Sequence, residues 1–292
     1  MNGPQLAQLV ETLLMVATTL LFLWIAVPEV RPWRCVGDTL RNTLTSRRRM
    51  LYLAACSSIL FANYFYLQLG IDDHFTSLIV DCRGHDYTAD IHRIEGDGVA
   101  ALQQALRCPP LTWFLGYVYV IVFPCLVIVL LFAFDRLRDR RGLALLLIGY
   151  TLNYLIVLPF YLWFPVREVF HFYREDLGTG AVRLLLDDIH PVVMQAYRTM
   201  SGIDNCFPSF HTSLTVTLAL LSWHAGRRRF AWLITAFAAA IVFSTLYLGI
   251  HWLCDVAAGL AVGVVAYVFA RWLSRPWAQQ GTEPASPGGG RP

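Results

Sequence analysis

A proline, a serine and a histidine stand close together at Pro208, Ser209 and His211, where an apolar run begins. Proline suits the first turn of a helix, and a helix N-terminus directs free backbone N–H groups and the positive end of its dipole toward an anion. Ser209 adds a hydroxyl, and His211 adds an imidazole that can transfer a proton. This group favours a phosphate site, and a helix cap with an interfacial histidine is the alternative.

His251 and Asp255 form a second pair, and their spacing of four residues would place them on one face of a helix. The carboxylate can then accept the Nδ1–H of the imidazole and leave Nε2 free as a nucleophile or base. An aspartate inside an apolar stretch is costly and by default indicates a functional site. At about 20 residues per membrane crossing, one helix across and one back would return His211 and His251 to the same boundary.

Arg167 follows the fourth apolar run, on the side where both histidines are expected. A guanidinium is permanently charged and offers several donors to a phosphate. On its own, Arg167 would be interpreted as an ordinary interfacial arginine. Together with the histidines, it is interpreted as a phosphate ligand.

The composition is typical of a membrane protein. Apolar residues make up 57% of the 292 residues, charged residues 15%, and the mean hydropathy is +0.51, which is rare in soluble globular proteins. The net charge of +3 and the absence of a basic stripe argue against a nucleic-acid partner. All 23 basic side chains are arginine, so no lysine can act as a base or bind phosphate.

Seven apolar runs are long enough to cross about 30 Å of hydrocarbon as helices. The sequence therefore predicts an all-α integral membrane protein, a bundle of about seven transmembrane helices, with six or eight as alternatives because the fifth run is short and the last two are nearly continuous. The runs are 7–28, 50–70, 111–134, 143–164, 209–225, 229–249 and 252–273.

Arginines orient the bundle. With seven spans, segments that hold 16 of the 23 arginines fall on one face, which the positive-inside rule makes cytoplasmic. The N-terminus and the loops 71–110 and 165–208 are then outside and the C-terminus is cytoplasmic, in a multi-pass protein of the cell membrane. Three parts are predicted: N-terminal helices with an outer loop (1–142), a catalytic membrane core (143–274) and a disordered tail (275–292).

The outer loops carry weaker signals. Cys82 and Cys108 could pair in an oxidising compartment, and the second loop is expected to lie along the membrane interface. A metal site in the first loop is a further alternative, but the spacings match no ligand signature and a solvated polar loop is favoured. Its candidate ligands are Asp72, Asp73, His74, His85, Asp86, Asp90 and His92.

The three segments, in this order, resemble the type-2 phosphatidic acid phosphatase superfamily, which includes the vanadium haloperoxidases. The second family motif, proline-serine-x-histidine, is Pro208 to His211. The third, a serine-arginine followed by a histidine and an aspartate four residues later, is represented by Ser244, Thr245, His251 and Asp255. The resemblance covers about 145–270, and it implies a helical membrane enzyme that acts on a lipid phosphate at the outer face.

Two family cations are replaced. Phe160 stands where the first motif has lysine, Glu168 where it has proline, and Thr245 where the third motif has arginine. Arg167 alone represents the first motif. This pattern resembles the inositol phosphorylceramide synthase branch, whose members transfer a phosphoinositol head group, so the acceptor is expected to be water, inositol or another alcohol.

The resemblance implies a role for each site residue. His251 would attack phosphorus to form a phosphohistidine, Asp255 would orient it, and His211 would protonate the leaving oxygen and then activate the acceptor. No metal or other cofactor is needed in this scheme. The phosphoryl oxygens would be held by Arg167, Ser209, Phe210, Ser244 and Thr245.

Two other functions remain open. A transporter or channel could use His211, His251 and Asp255 as a proton relay, but it would place polar residues at mid-membrane depth in several spans. A catalytically inactive relative is the other, because a fold does not fix a function. The sequence identifies neither the lipid nor the oligomeric state.

Overall fold

The computed structural model describes residues 3–45, 85–189, 197 and 205–278. Within these residues the regular structure is helical. A π-helical turn covers Val118–Val122, and a 3₁₀ turn covers Leu185–Asp188. The α-helices are α1 Gly3–Ala26, α2 Pro32–Thr45, α3 Thr88–Glu95, α4 Gly98–Leu106, α5 Pro109–Tyr117, α6 Phe123–Arg136, α7 Arg140–Trp163, α8 Val169–Glu175, α9 Phe210–His224, α10 Arg228–Tyr247, α11 Leu253–Leu273 and α12 Arg275–Ala278.

Five helical segments in the described residues are long and apolar enough to span a membrane: Gln8–Ala26, Pro109–Arg136, Arg140–Trp163, Arg228–Tyr247 and Leu253–Leu273. They match five of the seven predicted runs, and the chain is an integral membrane protein. The run 209–225 forms α9, which has 15 residues and is shorter than the roughly 20 residues that cross a bilayer. Because the run 50–70 lies outside the described residues, seven spans stay a prediction.

Local sequence sets the helix boundaries. Helix α5 begins at a proline, Pro109, whose missing N–H is not needed in the first turn. Helix α7 begins after Asp139, whose carboxylate accepts the N–H of Gly142 at 2.8 Å. The π-helical turn precedes Pro124, which cannot donate a backbone hydrogen bond, so the register changes inside one continuous span.

Helix α9 lies at the centre of the bundle, packed against α6, α7, α10 and α11. Its contact with α11 depends on two glycines, since a Cβ at Gly259 would lie 2.7 Å from the Ser209 carbonyl oxygen and one at Gly263 would meet the Ser213 carbonyl. The Thr217 hydroxyl donates to the Gly263 carbonyl at 2.9 Å. The G-x-x-x-G pattern formed by Gly259 and Gly263 therefore serves packing between helices of the same chain.

The second half of the first outer loop is folded, which corrects the expectation of a solvated polar loop for residues 85–108. Helices α3 and α4 bury Ile91 and Val99 in the core beside the site. The Gln103 side-chain amide donates to the Tyr247 carbonyl at 2.9 Å and so joins α4 to the end of α10. Because many residues of this segment are polar or charged, the sequence did not indicate that Ile91 and Val99 would anchor it to the core. Cys82 lies outside the described residues, so its pairing with Cys108 stays a prediction.

The second outer loop is also partly buried. Leu185 and Leu186 have no exposed surface, so this turn packs against the protein, and its expected position along the membrane interface stays a prediction. Residues 190–196 and 198–204 lie outside the described part of the chain. The first four residues of the predicted tail form α12, and the proposed division at residue 142 stays a prediction.

Candidate active site

The two histidines of the sequence motifs lie together. His211 is the second residue of α9, and His251 lies in the short connection between α10 and α11. Their ring centroids are 6.2 Å apart. The backbone N–H of Ser209 donates to the Asp255 carbonyl at 3.1 Å, which joins the two motifs directly. The structure thus brings both imidazoles to one end of α9 and α11, as their separation of 40 positions along the chain predicts.

Asp255 holds His251 from the first turn of α11. The Asp255 Oδ2 lies 3.3 Å from the Nδ1 of His251 and accepts the Trp252 N–H at 2.9 Å. His251 precedes the N-cap residue Trp252, so it is outside the helix. The contact therefore results from helix capping and not, as predicted, from a shared helical face. Asp255 is fully buried, and its Oδ1 has no hydrogen-bond partner among the described residues.

Two aromatic side chains enclose His211. Tyr119 stacks on the imidazole with ring centroids 4.5 Å apart, and its hydroxyl lies 3.4 Å from Nδ1. Phe123 lies at the same centroid distance. The π-helical turn determines which residues of the second described span face His211. Sequence periodicity did not reveal this turn, so it did not reveal these two contacts. They fix the plane of the ring and leave Nε2 as the free nitrogen for proton transfer.

A third side chain, that of Cys206, lies beside His251 and Asp255. Ligand atoms of Cys206, His251 and Asp255 all lie within 4.8 Å of one another, and the three residues are buried. Sulfur, nitrogen and oxygen ligands of this kind can bind zinc. The sequence had suggested no role for Cys206, since isolated cysteines in apolar segments are common. This trio is the one cluster of potential metal ligands that the described residues form.

Arg167 is joined to the site through Trp252, but its guanidinium is paired. It contacts Asp86 through Nε at 2.9 Å and Asp176 through NH1 at 2.8 Å. The hydrogen bond to Asp176 is the largest cause that raises the pKa of Arg167. Its backbone carbonyl accepts the indole N–H of Trp252 at 2.9 Å. The residue is therefore joined to the site by its backbone, while its charge is already balanced.

The other predicted phosphate ligands have structural contacts. The Ser209 hydroxyl accepts the N–H of Thr212 at 3.3 Å and caps α9, and Phe210 packs edge-on against Tyr150 and Tyr154. The hydroxyls of Ser244 and Thr245 donate to carbonyls of their own helix at 2.7 and 2.8 Å. In this state, neither hydroxyl hydrogen is directed at a ligand.

Glu95, which sequence reasoning missed, lies over the N-terminus of α11. Its two carboxylate oxygens accept the N–H groups of Leu253 and Cys254 at 3.1 and 2.9 Å. The carboxylate of a neighbouring element therefore satisfies the helix end beside His251, a favourable position for a negative charge. In the sequence, the pattern Ile91-x-x-x-Glu95 is the only indication of this position, because it places an apolar residue that can face the core one turn before the acid.

The described residues of the proposed metal alternative in the first outer loop form ion pairs. His85 contacts Asp90 at 2.5 Å, and His92 contacts Asp97 at 3.3 Å. Asp86 binds Arg167. Asp72, Asp73 and His74 lie outside the described residues, so the full set is not observed together.

Asp255→Asn should reduce turnover by about 100-fold or more, because an amide keeps the shape but loses the charge that stabilises the His251 imidazolium. The helix cap can persist through the amide oxygen, so the thermal unfolding temperature should change little. Phosphate release and thermal unfolding, measured on the same preparation, check both statements. Unchanged turnover would show that Asp255 only caps α11.

Burial lowers the pKa of His251 to about 4, against a weaker opposing effect of a hydrogen bond with the Cys206 backbone. The imidazole is then neutral at pH 7, as a nucleophile must be. The unfolded chain binds this proton near pH 6.5, so folding stability should fall as the pH falls from about 6.5 to about 4. Thermal unfolding across this range should show a smaller fall in His251→Gln, and equal falls would contradict the buried neutral imidazole.

A family model described as the PAP2 superfamily matches residues 92–269. Three curated relatives are similar over shorter segments. The bacitracin transport permease protein BcrC of Bacillus licheniformis is 39% identical over 73 residues (25% of this chain, 35% of the relative). The lipid A 4'-phosphatase of Porphyromonas gingivalis is 30% identical over 97 residues (29% and 41%). The putative undecaprenyl-diphosphatase YbjG of Escherichia coli is 37% identical over 70 residues (23% and 34%).

The matched segments thus span between 34% and 41% of the length of these relatives. A solved structure, that of Aquifex aeolicus LpxE, aligns with 64% of this chain and 96% of its own, at 18% identity and a TM-score of 0.44. The predicted inositol phosphorylceramide synthase branch is not among these similarities. Because the family model covers more than half of the sequence and includes both histidines, the chain belongs to the PAP2 superfamily.

Proposed function

We propose that this protein is a lipid phosphatase that removes a terminal phosphate from a membrane lipid at the outer face. The observation that carries this proposal is the pair of imidazoles with centroids 6.2 Å apart, one of them held by a buried carboxylate. A nucleophile and a proton donor at this separation can lie on opposite sides of a phosphoryl group, as in-line displacement requires. Two of the three relatives carry phosphatase names.

His251 attacks phosphorus as the P–O bond to the lipid breaks. His211 gives a proton to the leaving lipid oxygen, and because aromatic rings enclose His211, the negative charge of the bound phosphate must stabilise its protonated form. The phosphoryl group is then held as a phosphohistidine, and Asp255 stabilises the charged ring. Neutral His211 next takes a proton from water, the oxygen attacks phosphorus, and inorganic phosphate leaves His251. With an alcohol in place of water, the same scheme transfers the phosphoryl group to that alcohol, and with a phosphodiester donor it transfers the head group, so the acceptor must be measured.

Negative charge on the phosphoryl oxygens needs donors. Arg167 is the described cation whose backbone contacts the site, through Trp252, but Asp86 and Asp176 hold its side chain. We infer that substrate phosphate competes for this guanidinium, together with Ser209, Phe210, Ser244 and Thr245 around the ends of α9 and α10. A substrate that carries its own negative charge can displace one carboxylate without changing the charge balance.

The substrate class is tested by phosphate release from the detergent-purified protein. The panel is phosphatidic acid, a polyprenyl phosphate, a polyprenyl diphosphate and an inositol phospholipid, with inositol and ceramide as added acceptors. Free phosphate that requires His251 supports the phosphatase, whereas head-group transfer without free phosphate would place the protein with phosphotransferases. If no substrate in the panel gives either product, the proposal fails for these lipids.

Activity should persist in EDTA, because the nucleophile is an imidazole and Asp255 supplies its charge partner. The measurement is phosphate release after dialysis against chelator, with and without added Zn²⁺. Loss of activity in EDTA that Zn²⁺ restores would assign the trio Cys206, His251 and Asp255 to a catalytic metal and would overturn the phosphohistidine mechanism.

A transporter that uses the same residues as a proton relay is the second candidate retained from the sequence. The described geometry favours the enzyme, because His211, His251 and Asp255 lie at the N-terminal ends of α9 and α11 and not at mid-depth of several spans. The buried Asn153 at mid-depth of α7 is neutral and donates to Thr217 at 2.8 Å.

We propose the outer face for this site from the arginine distribution. The turn at 225–229 is then cytoplasmic, so a cysteine at Ala225 should resist an impermeant thiol reagent applied to intact cells. This variant is made in a chain with Cys108→Ser, since Cys108 is exposed. Labelling at residue 225 would invert the orientation.

A further inference from the structure

A cavity of about 480 Å³ lies at the end of α11 that is far from the histidines. Since α11 has 21 residues that rise 1.5 Å each, the cavity is about 30 Å from the catalytic pair. No step of the proposed reaction uses it. It is lined by Arg141, Val268, Phe269, Arg271, Trp272 and Arg275.

The three arginines in the wall of this cavity have no acidic partner. Within the described part of the chain, none of Arg141, Arg271 and Arg275 forms an ion pair, and the Nε of Arg141 is buried without a hydrogen-bond partner. The Arg271 guanidinium lies 5.8 Å from the ring centroid of Tyr267, a cation–π contact that fixes its position without neutralising it. A buried donor without a partner needs an explanation, and three arginines that line one cavity call for an anion with several oxygens.

The remaining wall of the cavity is apolar. More than half of the surface of each apolar residue is exposed, so these residues lie on the side of α11 that faces away from the bundle: Val268, Phe269 and Trp272. Tryptophan is enriched at the boundary between hydrocarbon and headgroups. Arginines at the helix end next to apolar side chains one turn deeper match a molecule with an anionic head and a hydrocarbon tail.

We propose that this cavity binds the phosphate headgroup of an anionic phospholipid, whose acyl chain lies along Val268 and Phe269. Basic cavities between helices on the cytoplasmic side are suited to such headgroups. The C-terminal residues 279–292 are the other available occupant, but they contain one acid, Glu283, and one arginine. One carboxylate does not match three guanidiniums, and a phosphodiester offers more acceptor oxygens per charge.

The test is native mass spectrometry of the full chain in mild detergent, titrated with phosphatidylglycerol and separately with phosphatidylcholine. The triple variant Arg141→Gln, Arg271→Gln, Arg275→Gln removes the cavity charges. A matched triple variant, Arg34→Gln, Arg228→Gln, Arg229→Gln, removes the same charge from the predicted cytoplasmic face outside the cavity. Thermal unfolding of each variant checks folding, and single variants Arg141→Gln and Arg271→Gln replace the triple if it does not fold.

The cavity variant should bind phosphatidylglycerol about 10- to 100-fold more weakly than the wild type, with little change in phosphatidylcholine binding or in the matched control. Equal weakening in both triples would show general surface charge and would overturn the proposal. Binding that appears only after residues 279–292 are removed would assign the cavity to the C-terminus instead. No selective phosphatidylglycerol binding, with or without those residues, would also overturn it. None of these outcomes depends on catalytic turnover, so the phosphatase proposal can fail or succeed separately.

Discussion

His251→Ala should lower the rate of phosphate release by about 10⁴-fold or more, since loss of a covalent nucleophile removes the whole reaction path. The side chain is buried and contacts Asp255 at 3.3 Å, so no neighbouring group can replace it without rearrangement. Initial rates on the best lipid of the panel measure the effect.

The matched control for this variant is His224→Ala. His224 also contacts an aspartate, Asp139, at 3.4 Å, but it ends α9 at the opposite side of the bundle from His211. This variant should retain most of the wild-type rate. Comparable losses in the two variants would mean that His251 acts through stability, and substantial turnover without His251 would contradict its role as the nucleophile.

Gly259→Ala should destabilise the protein and reduce activity together, because α9 and α11 meet at this glycine. The added Cβ would lie 2.7 Å from the Ser209 carbonyl oxygen and 2.9 Å from the Cβ of Thr212. Backbone cannot move aside as a side chain can, so the helices must separate, at a cost of about 1–3 kcal/mol. Ser209 and His211 share the first turn of α9, so the separation should also disturb the histidine pair.

Thermal unfolding and phosphate release measure the two effects of Gly259→Ala. Gly180→Ala is the control, because a Cβ at Gly180 meets nothing within 4 Å and its φ is not in the left-handed region. Near-wild-type behaviour of Gly259→Ala would show that the contact between α9 and α11 can relax, and that the spacing of the histidines does not depend on it.

The length of the chain and the polarity of its residues predicted which side chains lie together, while their catalytic roles stay a prediction. The distance from His211 to His251 along the chain allows one crossing and one return, and the structure places both rings at one end of the bundle. Asp255 was identified because a carboxylate in an apolar run is costly. Both inferences use only the hydrocarbon thickness and the free energy of burying charge, so neither of them requires knowledge of the tertiary structure.

The remaining contacts depend on tertiary structure, so the sequence could not reveal them. Tyr119 reaches His211 through a π-helical turn, which shifts the face that periodicity assigns to each residue. Glu95 caps α11 across 158 residues, a distance at which no spacing rule applies. Arg167 was correctly placed at the end of its span, but its pairing with Asp86 and Asp176 required the folded outer segments.

The short helix α9 shows why the span count was the weakest part of the sequence interpretation. Its 15 residues include Thr212, Ser213, Thr215 and Thr217, all fully buried. A helix that faces protein on every side can carry hydroxyls and need not match the hydrocarbon thickness. Hydropathy and length describe a helix that faces lipid, so they do not settle whether a short central helix that faces protein crosses the membrane.

In the proposed mechanism, phosphorus becomes covalently attached to His251. The most direct measurement is rapid acid-free quenching of the protein with a labelled lipid phosphate, followed by peptide mass spectrometry under alkaline conditions that preserve phosphohistidine. We expect a phosphoryl group on His251 in the wild type and none in His251→Ala. The phosphoryl group should accumulate in His211→Ala, because without His211 no imidazole activates the water that releases it. A phosphoryl group on another residue, or turnover with no phosphoenzyme under conditions that trap a control phosphohistidine, would contradict the mechanism.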